Sequence, residues 1–142
     1  MAGRNGSAEW RGDLQSGAGS VKVGDGVFEG TYSFKSRFED GQGTNPEQLI
    51  AAAHAACFTM ALSNILSTAG HTPESVNTTA NVTLRFIDNA PTLTRVDLVT
   101  EGRVAGVDAA QFQKFAEEAK ANCPISRALA GIPEIALTAK LL

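Results

Sequence analysis

The residues best suited to chemistry are the two cysteines of the chain, Cys57 and Cys123. A thiol becomes nucleophilic as the thiolate, so its reactivity depends on what lowers its pKa. Cys123 stands at the N-cap of a short helical turn that begins at Pro124, where unpaired backbone N–H groups favour a thiolate. Cys57 lies within a long apolar segment, where burial alone raises a thiol pKa. On the residues alone Cys123 is the more acidic thiol, and both cysteines could also be inert buried side chains.

Arg37 and Glu47 could supply the charge that the Cys57 thiol lacks. Glu47 precedes Cys57 by ten residues, close to three helical turns, so the two side chains lie on nearly the same helix face. There the carboxylate could orient a cation beside the thiol, although Glu47 also fits a capping box that begins at Thr44. Arg37, in the preceding loop, is the candidate cation, and a solvated surface arginine is the alternative interpretation.

A metal site is another interpretation of the same region. His54 lies one helical turn before Cys57, and the two could bind zinc together with Cys123. The chain has two histidines and two cysteines, with neither a CxxC nor an HxxxH spacing, so the sequence favours no bound metal. His54 is better interpreted as a polar residue with a local hydrogen-bond partner.

The element that must position the first cysteine is a long helix, predicted over residues 44–70. Thr44 or Asn45 can serve as N-cap, Pro46 suits the first helical position, and Gly70 is a natural stop. The segment is apolar on almost every side, so the helix must be covered by something else. Its polar start and its internal His and Asn make it a poor membrane span, and an oligomer could supply the cover.

The remaining segments alternate between strand and helix patterns. Residues 8–38 predict short strands with a hairpin turn at residues 24–26, and a polar loop is predicted over residues 35–43. The further predicted elements are strands at 75–87 and 92–104 joined by a turn at 88–91, a helix from Asp108 to Asn122, a short helix from Pro124, and a strand at 134–141. This order predicts an α+β fold in which a mostly antiparallel sheet wraps the long helix.

Length and composition indicate one globular domain. The chain has 142 residues, of which 43% are hydrophobic and 19% charged. Within this single domain we expect a strand region over residues 1–43 and a helix-and-strand core over residues 44–142. The net charge of −3 and the pI near 5.3 give no reason to expect nucleic acid or an anionic membrane as a partner. The N-terminal segment has no signal-peptide pattern, so we expect the cytoplasm, where thiols stay reduced.

Two motifs carry a resemblance to a known family. The sequence TNPEQLIAAAHAACF at residues 44–58 and the sequence NCPIS at residues 122–126 resemble the OsmC/Ohr family, the osmotically induced and organic-hydroperoxide-resistance proteins. The similarity covers essentially the whole chain, including SRFE at residues 36–39, and the HAAC tetrapeptide favours the OsmC branch over Ohr. The resemblance implies an OsmC-like fold and an intertwined homodimer with active sites at the interface.

The resemblance also implies a peroxidase and a role for each candidate residue. Cys57 would be the peroxidatic thiol that attacks an organic hydroperoxide and becomes a sulfenic acid, and Cys123 would resolve it to a disulfide. Arg37 would hold Cys57 as thiolate, while Glu47 would fix the guanidinium through a bidentate pair. No cofactor is expected; a thiol or dithiol reductant, with a lipoylated protein as one candidate, would reopen the disulfide. This order of the cysteines is opposite to the one that the helix-dipole argument favours.

Two expectations concern substrate and function. An apolar surround of Phe38, Leu49, Ile50 and Phe58 would suit an alkyl hydroperoxide better than hydrogen peroxide. The alternative function is a non-catalytic redox-sensing stress protein, in which the same cysteine pair forms a disulfide that changes shape or partners. Turnover separates the two, because a sensor would be oxidised without repeated, efficient reduction of peroxide.

Overall fold

The first unit of the chain, Met1–Leu49, contains a three-stranded antiparallel sheet in the order β1-β2-β3. In the computed structural model, which describes residues 1–142, the strands are β1 Gly6–Arg11, β2 Ala18–Val23 and β3 Phe28–Tyr32. Gly24 and Gly26, with φ of 59° and 98°, form the turn between β2 and β3, since glycine adopts positive φ without steric strain. The hairpin turn predicted at residues 24–26 is confirmed.

A five-residue helix, α1 at Phe34–Phe38, follows β3. The sequence predicted strand and polar loop here, and that prediction was wrong. Ser33 and Ser36 form a capping box, in which the Ser36 N–H donates to Ser33 Oγ at 3.1 Å and the Ser33 N–H donates to Ser36 Oγ at 2.8 Å. Because the box ends in serine rather than Glu or Gln and the helix is too short for an apolar repeat, its pattern predicted no helix.

The long helix α2, Pro46–Thr68, lies inside the predicted segment 44–70. Asn45 caps it, since the Asn45 Oδ1 accepts a hydrogen bond from the Gln48 N–H at 2.8 Å. Gly70 has a φ of 90°, which lets the chain leave the helix in the left-handed conformation. The division between the first unit and the second, Ile50–Leu142, falls within this helix.

One side of α2 is buried and the other is exposed within a single chain. Phe58, Leu62 and Leu66 follow one another at four-residue spacing, and each is 0% exposed. Met60, on the opposite side, is 74% exposed. By length and composition alone α2 is apolar enough to span a membrane, and 22% of its most apolar stretch is buried in the chain. A single copy of the chain therefore leaves one apolar side of α2 uncovered, and the prediction that something else must cover this helix still stands.

The second unit adds another three-stranded sheet and two helices to α2. Its elements are β4 Ser75–Ile87, β5 Ala90–Arg103, α3 Ala109–Asn122, α4 Pro124–Ala128 and β6 Glu134–Leu141. β4 and β5 pair antiparallel, whereas β6 returns through the crossover of α3 and α4 to pair parallel with β5. The predicted α+β fold with mostly antiparallel pairing is confirmed, although the strands form two sheets rather than one.

The hairpin between β4 and β5 is tighter than the sequence predicted. Asp88 and Asn89, with φ of 49° and 63°, form a two-residue turn, and Ala90 and Pro91 already pair with β4. The turn predicted at residues 88–91 is therefore too long. β6 pairs with β5 only from Arg95 onward, so Pro91 lies where β5 has one neighbouring strand and a missing N–H is tolerated.

The core of the second unit lies between α3, β5 and the buried side of α2. Asp108 caps α3 as predicted, with the Gln111 N–H donating to Asp108 Oδ1 at 2.8 Å. Phe112 is 0% exposed and Leu98 of β5 is 1% exposed, and both belong to one apolar cluster with Leu62. This cluster holds the part of α2 that carries Cys57, since the neighbouring Phe58 belongs to it.

We expect Leu62→Ala to lower the free energy of unfolding by about 2–5 kcal/mol, because it leaves a cavity in this cluster. Chemical denaturation followed by circular dichroism, at one fixed protein concentration, measures the change. Lys114→Ala, at an exposed position of α3, is the matched control and should change that free energy by less than about 0.5 kcal/mol. An effect of Leu62→Ala as small as that of the control would contradict the core described here.

Candidate active site

Arg37 and Glu47 form an ion pair within the first unit. Arg37 Nε and Nη2 both donate to Glu47 Oε1, at 3.2 Å and 2.9 Å, and Glu47 is only 8% exposed. The capping-box interpretation of Glu47 is therefore wrong, since its carboxylate binds the guanidinium instead of the helix start. The pair also differs from the expected bidentate form, because both N–H groups share one oxygen. Glu47 Oε2 is buried and has no hydrogen-bond partner.

The position of Arg37 follows from how α1 is tied to the start of α2. The Ser36 hydroxyl donates to the Thr44 carbonyl at 2.8 Å, and the Asn45 side-chain amide donates to the Ser36 carbonyl at 2.9 Å. These bonds hold the turn of α1 against the residues that precede α2, with Arg37 next to Ser36 in the chain. Ser36, which is 5% exposed, is a positioning residue that the sequence analysis missed. Its signal was the serine pair three residues apart at positions 33 and 36.

An aromatic cleft lies beside Arg37 in the first unit. Its volume is about 410 Å³, and it is lined by Trp10, Gly12, Leu14, Tyr32, Ser33, Phe34, Arg37 and Phe38. The Arg37 guanidinium carbon lies 5.3 Å from the centre of the Phe38 ring, within the range of a cation–π contact. The cleft thus combines apolar walls with one cation, an arrangement suited to a ligand with an apolar body and a polar or anionic end.

The two cysteines lie together within the second unit. Cys57 Sγ and Cys123 Sγ are 2.9 Å apart, and both cysteines are free thiols. A disulfide bond is about 2.05 Å long, so the pair is in its reduced form but already adjacent. Cys57 is partly exposed, whereas Cys123 is 0% exposed. We call these two residues the thiol pair.

Cys123 is the more acidic member of the thiol pair. Burial by itself raises the pKa of the Cys123 thiol. The polar neighbours of Cys123 outweigh burial and bring that pKa below the ordinary value: they are the Cys57 thiol, the backbone N–H and hydroxyl of Ser126, and the Ile125 N–H. Cys123 is the N-cap of α4, and these amides are the unpaired N–H groups of its first turn. Its sulfur makes no side-chain cap hydrogen bond with them, so they act on the thiol through their electrostatic field. The lowered pKa of Cys123 has the direction expected from its helix-start position, but its largest cause is the Cys57 thiol, which the sequence did not indicate.

The pKa of the Cys57 thiol is shifted in the opposite direction, above its ordinary value. Burial raises the pKa of its thiol most, the hydrogen bond and charge of Cys123 raise it further, and the Ile125 N–H lowers it only in part. α2 offers no free N–H group at this position, because every amide in mid-helix is already bonded. Within the second unit Cys57 therefore lacks a cation that would favour its thiolate.

His54 is buried and bonded to a residue far away in the sequence. His54 Nε2 lies 2.6 Å from Ser126 Oγ, 72 positions along the chain, and His54 is 0% exposed. The expected local partner was therefore wrong. His54 Nδ1 has no hydrogen-bond partner, and burial lowers the pKa of the ring. No group of three or more His, Cys, Asp or Glu side chains has the arrangement of a metal site, and the zinc interpretation gains no support.

The expected apolar surround is only partly available to a substrate. Phe38 lines the aromatic cleft, and Leu49 and Ile50 are half-buried. Phe58 is 0% exposed and belongs to the core of the second unit, so its assignment as a pocket residue was wrong. The four-residue spacing that puts Phe58 in line with Leu62 explains this burial.

Comparison with known proteins places these residues in context. The chain matches the family described as OsmC-like protein over residues 39–138. It is 47% identical over 127 residues to peroxiredoxin OsmC of Escherichia coli strain K12, which covers 89% of each chain. It is 35% identical over 101 residues to an organic hydroperoxide resistance protein of Xanthomonas axonopodis pv. citri, covering 69% of this chain and 68% of that one.

A solved structure has the same fold. The organic hydroperoxide resistance protein OhrB of Bacillus subtilis superposes with a TM-score of 0.72 at 26% sequence identity. The superposition covers 97% of this chain and 98% of that one. The similarity therefore extends to the N-terminal strands, which precede the segment that matches the family.

We expect removal of either cysteine to shift the pKa of the other, in opposite directions. Cys57→Ala should raise the pKa of Cys123, because it removes a hydrogen bond that lowers that pKa. Cys123→Ala should lower the pKa of Cys57, because it removes a hydrogen bond and a charge that raise it.

Ultraviolet absorbance of the thiolate, recorded against pH, measures both values. In the two-cysteine protein the first titration step should lie below the pKa of the Cys57→Ala variant, and the second step above that of the Cys123→Ala variant. Titration of the two-cysteine protein as the simple sum of the two variants would contradict the contact between the sulfurs.

Proposed function

The chain belongs to the OsmC family and is a peroxidase, and from that premise we propose that it reduces organic hydroperoxides to alcohols. Cys57 is the attacking thiol and Cys123 the resolving thiol. The observation that carries this proposal is the 2.9 Å contact between two reduced sulfurs, one partly exposed and the other fully buried. An exposed thiol can meet a hydroperoxide, and a buried neighbour can trap the oxidised product before it is oxidised further.

The reaction has three steps with balanced electrons. The Cys57 thiolate attacks the outer oxygen of the hydroperoxide; an S–O bond forms, the O–O bond breaks, and the alkoxide takes a proton to leave as the alcohol. The Cys123 thiolate then attacks the sulfenic sulfur, forming the disulfide and releasing hydroxide, which is protonated to water. A dithiol reductant, for which a lipoylated protein is one candidate, returns two electrons and restores both thiols.

Arg37 and Glu47 supply what the first step needs. Cys57 has a raised pKa within its own unit, so a positive charge beside its sulfur would favour the attacking thiolate. Arg37 carries that charge, and Glu47, buried and bound through one oxygen, holds the guanidinium in place. The same guanidinium can hydrogen-bond the peroxide oxygen, and the aromatic cleft beside it can take the alkyl body of the substrate.

The site is completed by a second copy of the chain. Glu47 and Cys57 are ten residues apart on α2, which is about 15 Å along the helix axis at 1.5 Å per residue. A direct contact between the Arg37–Glu47 pair and the Cys57 sulfur of the same chain would need a far shorter separation. We therefore assign the pair to the thiol of a partner copy, and the homodimer to the functional state.

Helix α2 offers a surface that suits such a dimer. Ala52, Ala56 and Met60 are exposed at four-residue spacing on its uncovered side. In a two-fold symmetric, antiparallel packing of α2 on its copy centred near Ala52, Glu47 of one copy lies level with Cys57 of the other. The small alanine side chains allow close approach, and the dimer covers the apolar helix without a membrane. We place this single OsmC-like domain in the cytoplasm, where reduced thiols persist.

We expect Cys57→Ser to abolish turnover and Cys123→Ser to permit one oxidation per chain. The reason is that only Cys57 meets the hydroperoxide, while Cys123 is needed to form the disulfide that a reductant can reopen. The measurement is a free-thiol count before and after one equivalent of cumene hydroperoxide, followed by a dithiol and a second addition.

The two-cysteine protein should lose both thiols, regain both with dithiol and repeat the cycle. Oxidation that a dithiol reverses, but without efficient repeated turnover, would instead support a redox sensor. Full peroxidase activity of Cys57→Ser would overturn the assignment of the attacking thiol.

We expect Arg37→Ala to slow the oxidation of Cys57 by roughly 100-fold at neutral pH, a loss comparable to that of one charge-stabilising donor. Glu47→Gln should slow it less, since the guanidinium remains but is held loosely. Arg11→Ala, at an exposed arginine of β1, is the matched control and should leave the rate unchanged.

Mixing two inactive variants tests whether the site is shared. A dimer of one Arg37→Ala chain and one Cys57→Ser chain contains one intact site if the arginine serves the partner copy. After subunit exchange, activity should therefore return to about a quarter of the native value, since half of the dimers are mixed and each has one of two sites. No recovery, with exchange verified by mass spectrometry, would show that each site lies within one chain.

A further inference from the structure

A chain of buried polar groups runs from the long helix to the resolving sulfur. His54 Nε2 lies 2.6 Å from Ser126 Oγ. Ser126 is the third residue of α4, the helix that Cys123 N-caps, and its hydroxyl lowers the pKa of the Cys123 thiol. His54 is 0% exposed, Ser126 is 6% exposed and Cys123 is 0% exposed. These three side chains are therefore shielded from solvent. All three residues lie in the second unit of a single copy. The peroxidase steps described above leave His54 and Ser126 without a role.

The unpartnered nitrogen of His54 fixes the direction of these hydrogen bonds. His54 Nδ1 is buried without a partner. A buried N–H without an acceptor is rarer in proteins than a buried acceptor without a donor, so the proton belongs on Nε2. Nε2–H then donates to Ser126 Oγ, which leaves the serine O–H free to donate to the Cys123 sulfur. In this arrangement the histidine donates to the serine, and the serine can donate to the thiolate.

We propose that His54, acting through Ser126, is a positioning residue that holds Cys123 as a thiolate for disulfide formation and for its reduction. The inference rests on the proposed function, in which Cys123 resolves the sulfenic acid. The imidazole remains neutral throughout and exchanges no proton with the sulfur; it locks the serine hydroxyl as a donor. Burial lowers the pKa of the ring, which is consistent with a neutral donor at physiological pH.

The proposal also sets the direction of disulfide reduction. A reductant thiolate attacks the partly exposed Cys57 sulfur, an S–S bond forms to the reductant, and the Cys57–Cys123 bond breaks. The electron pair of that bond stays on the Cys123 sulfur, which leaves as a thiolate stabilised by the serine hydroxyl. Thiol–disulfide exchange is faster when the leaving thiol has the lower pKa, so the same two hydrogen bonds promote formation and opening of the disulfide.

The charged groups on the neighbouring elements either pair with other residues or lie exposed. On α3, Lys120 pairs with Glu117 at 3.6 Å and donates to the Ile135 carbonyl of β6. Arg127 of α4 is exposed, and Glu134 at the start of β6 pairs with Arg95. From α2 the Cys57 thiol faces the sulfur directly, and His54 reaches it through Ser126. The thiol pair, Ser126 and the α4 amides therefore determine the state of Cys123.

The first experiment titrates Cys123 by thiolate absorbance in a Cys57→Ala background, without any peroxide. We expect His54→Leu and Ser126→Ala each to raise the pKa of Cys123 by about one pH unit, the value of one hydrogen bond to a charged group. His54→Gln should leave the pKa of Cys123 close to that of the Cys57→Ala parent, because the glutamine amide N–H can donate to Ser126. His71→Leu, which changes the second histidine of the chain, is the matched control and should have no effect.

The second experiment resolves the steps in the two-cysteine protein mixed with one equivalent of cumene hydroperoxide. His54→Leu and Ser126→Ala should not slow sulfenic acid formation, because less charge on Cys123 lowers the pKa of Cys57, but they should slow disulfide formation about threefold at neutral pH. A tenfold loss of thiolate is partly offset by the greater nucleophilicity of a more basic thiol. His54→Gln should restore the native rate, which a purely structural effect of the substitution would not predict.

Unchanged titration of Cys123 in both variants would overturn the proposal, as would equal slowing of sulfenic acid and disulfide formation. Ser126→Ala removes a single oxygen, so it keeps the test valid if His54→Leu fails to fold. The titration uses no hydroperoxide. If the variants raise the pKa of Cys123 but the protein has no peroxidase activity, this inference is supported and the proposed function is refuted. If the peroxidase cycle is normal but the variants leave that pKa unshifted, the proposed function is supported and this inference is refuted.

Discussion

The site depends on two sulfurs being held 2.9 Å apart in surroundings that would otherwise keep both protonated. Burial raises the pKa of each thiol, so neither is reactive by virtue of its position alone. Cys123 escapes this penalty because α4 starts at it and presents unpaired amides and the Ser126 hydroxyl. Cys57 has no such group on its own helix. The two thiols therefore differ within one unit: the pKa of Cys123 is lowered and that of Cys57 is raised.

The elements that hold the thiol pair were largely visible in the sequence. The long apolar segment, its Pro46 start and its Gly70 stop predicted α2 within two residues at each end. The Asp108 cap and the Pro124 restart placed Cys123 between two helices. Alternation placed β4 and β6, and a less regular alternation placed β5. These signals are local, because caps, prolines and alternation act over a few residues, and tertiary packing did not override them.

The contacts across the chain were not visible in the same way. Glu47 has the spacing of a capping residue, but its carboxylate binds Arg37, ten residues upstream, instead of the helix start. His54 bonds a serine 72 positions away, and no local pattern contains that information. Phe58 was misjudged because its helix is apolar on several sides, so composition alone could not tell the core side from the uncovered side. Parallel pairing of β6 likewise depends on a crossover that joins distant segments.

That crossover has a consequence for how the protein is made. Cys123 lies between α3 and α4, in the segment that connects β5 to its parallel neighbour β6. A parallel pair forms only after both strands and the whole connection exist, so the core cluster that contains Cys123 is complete only when β6 has left the ribosome. Until then a sulfenic acid at Cys57 has no Cys123 thiol held beside it, and it can react only with thiols of other molecules or with more oxidant.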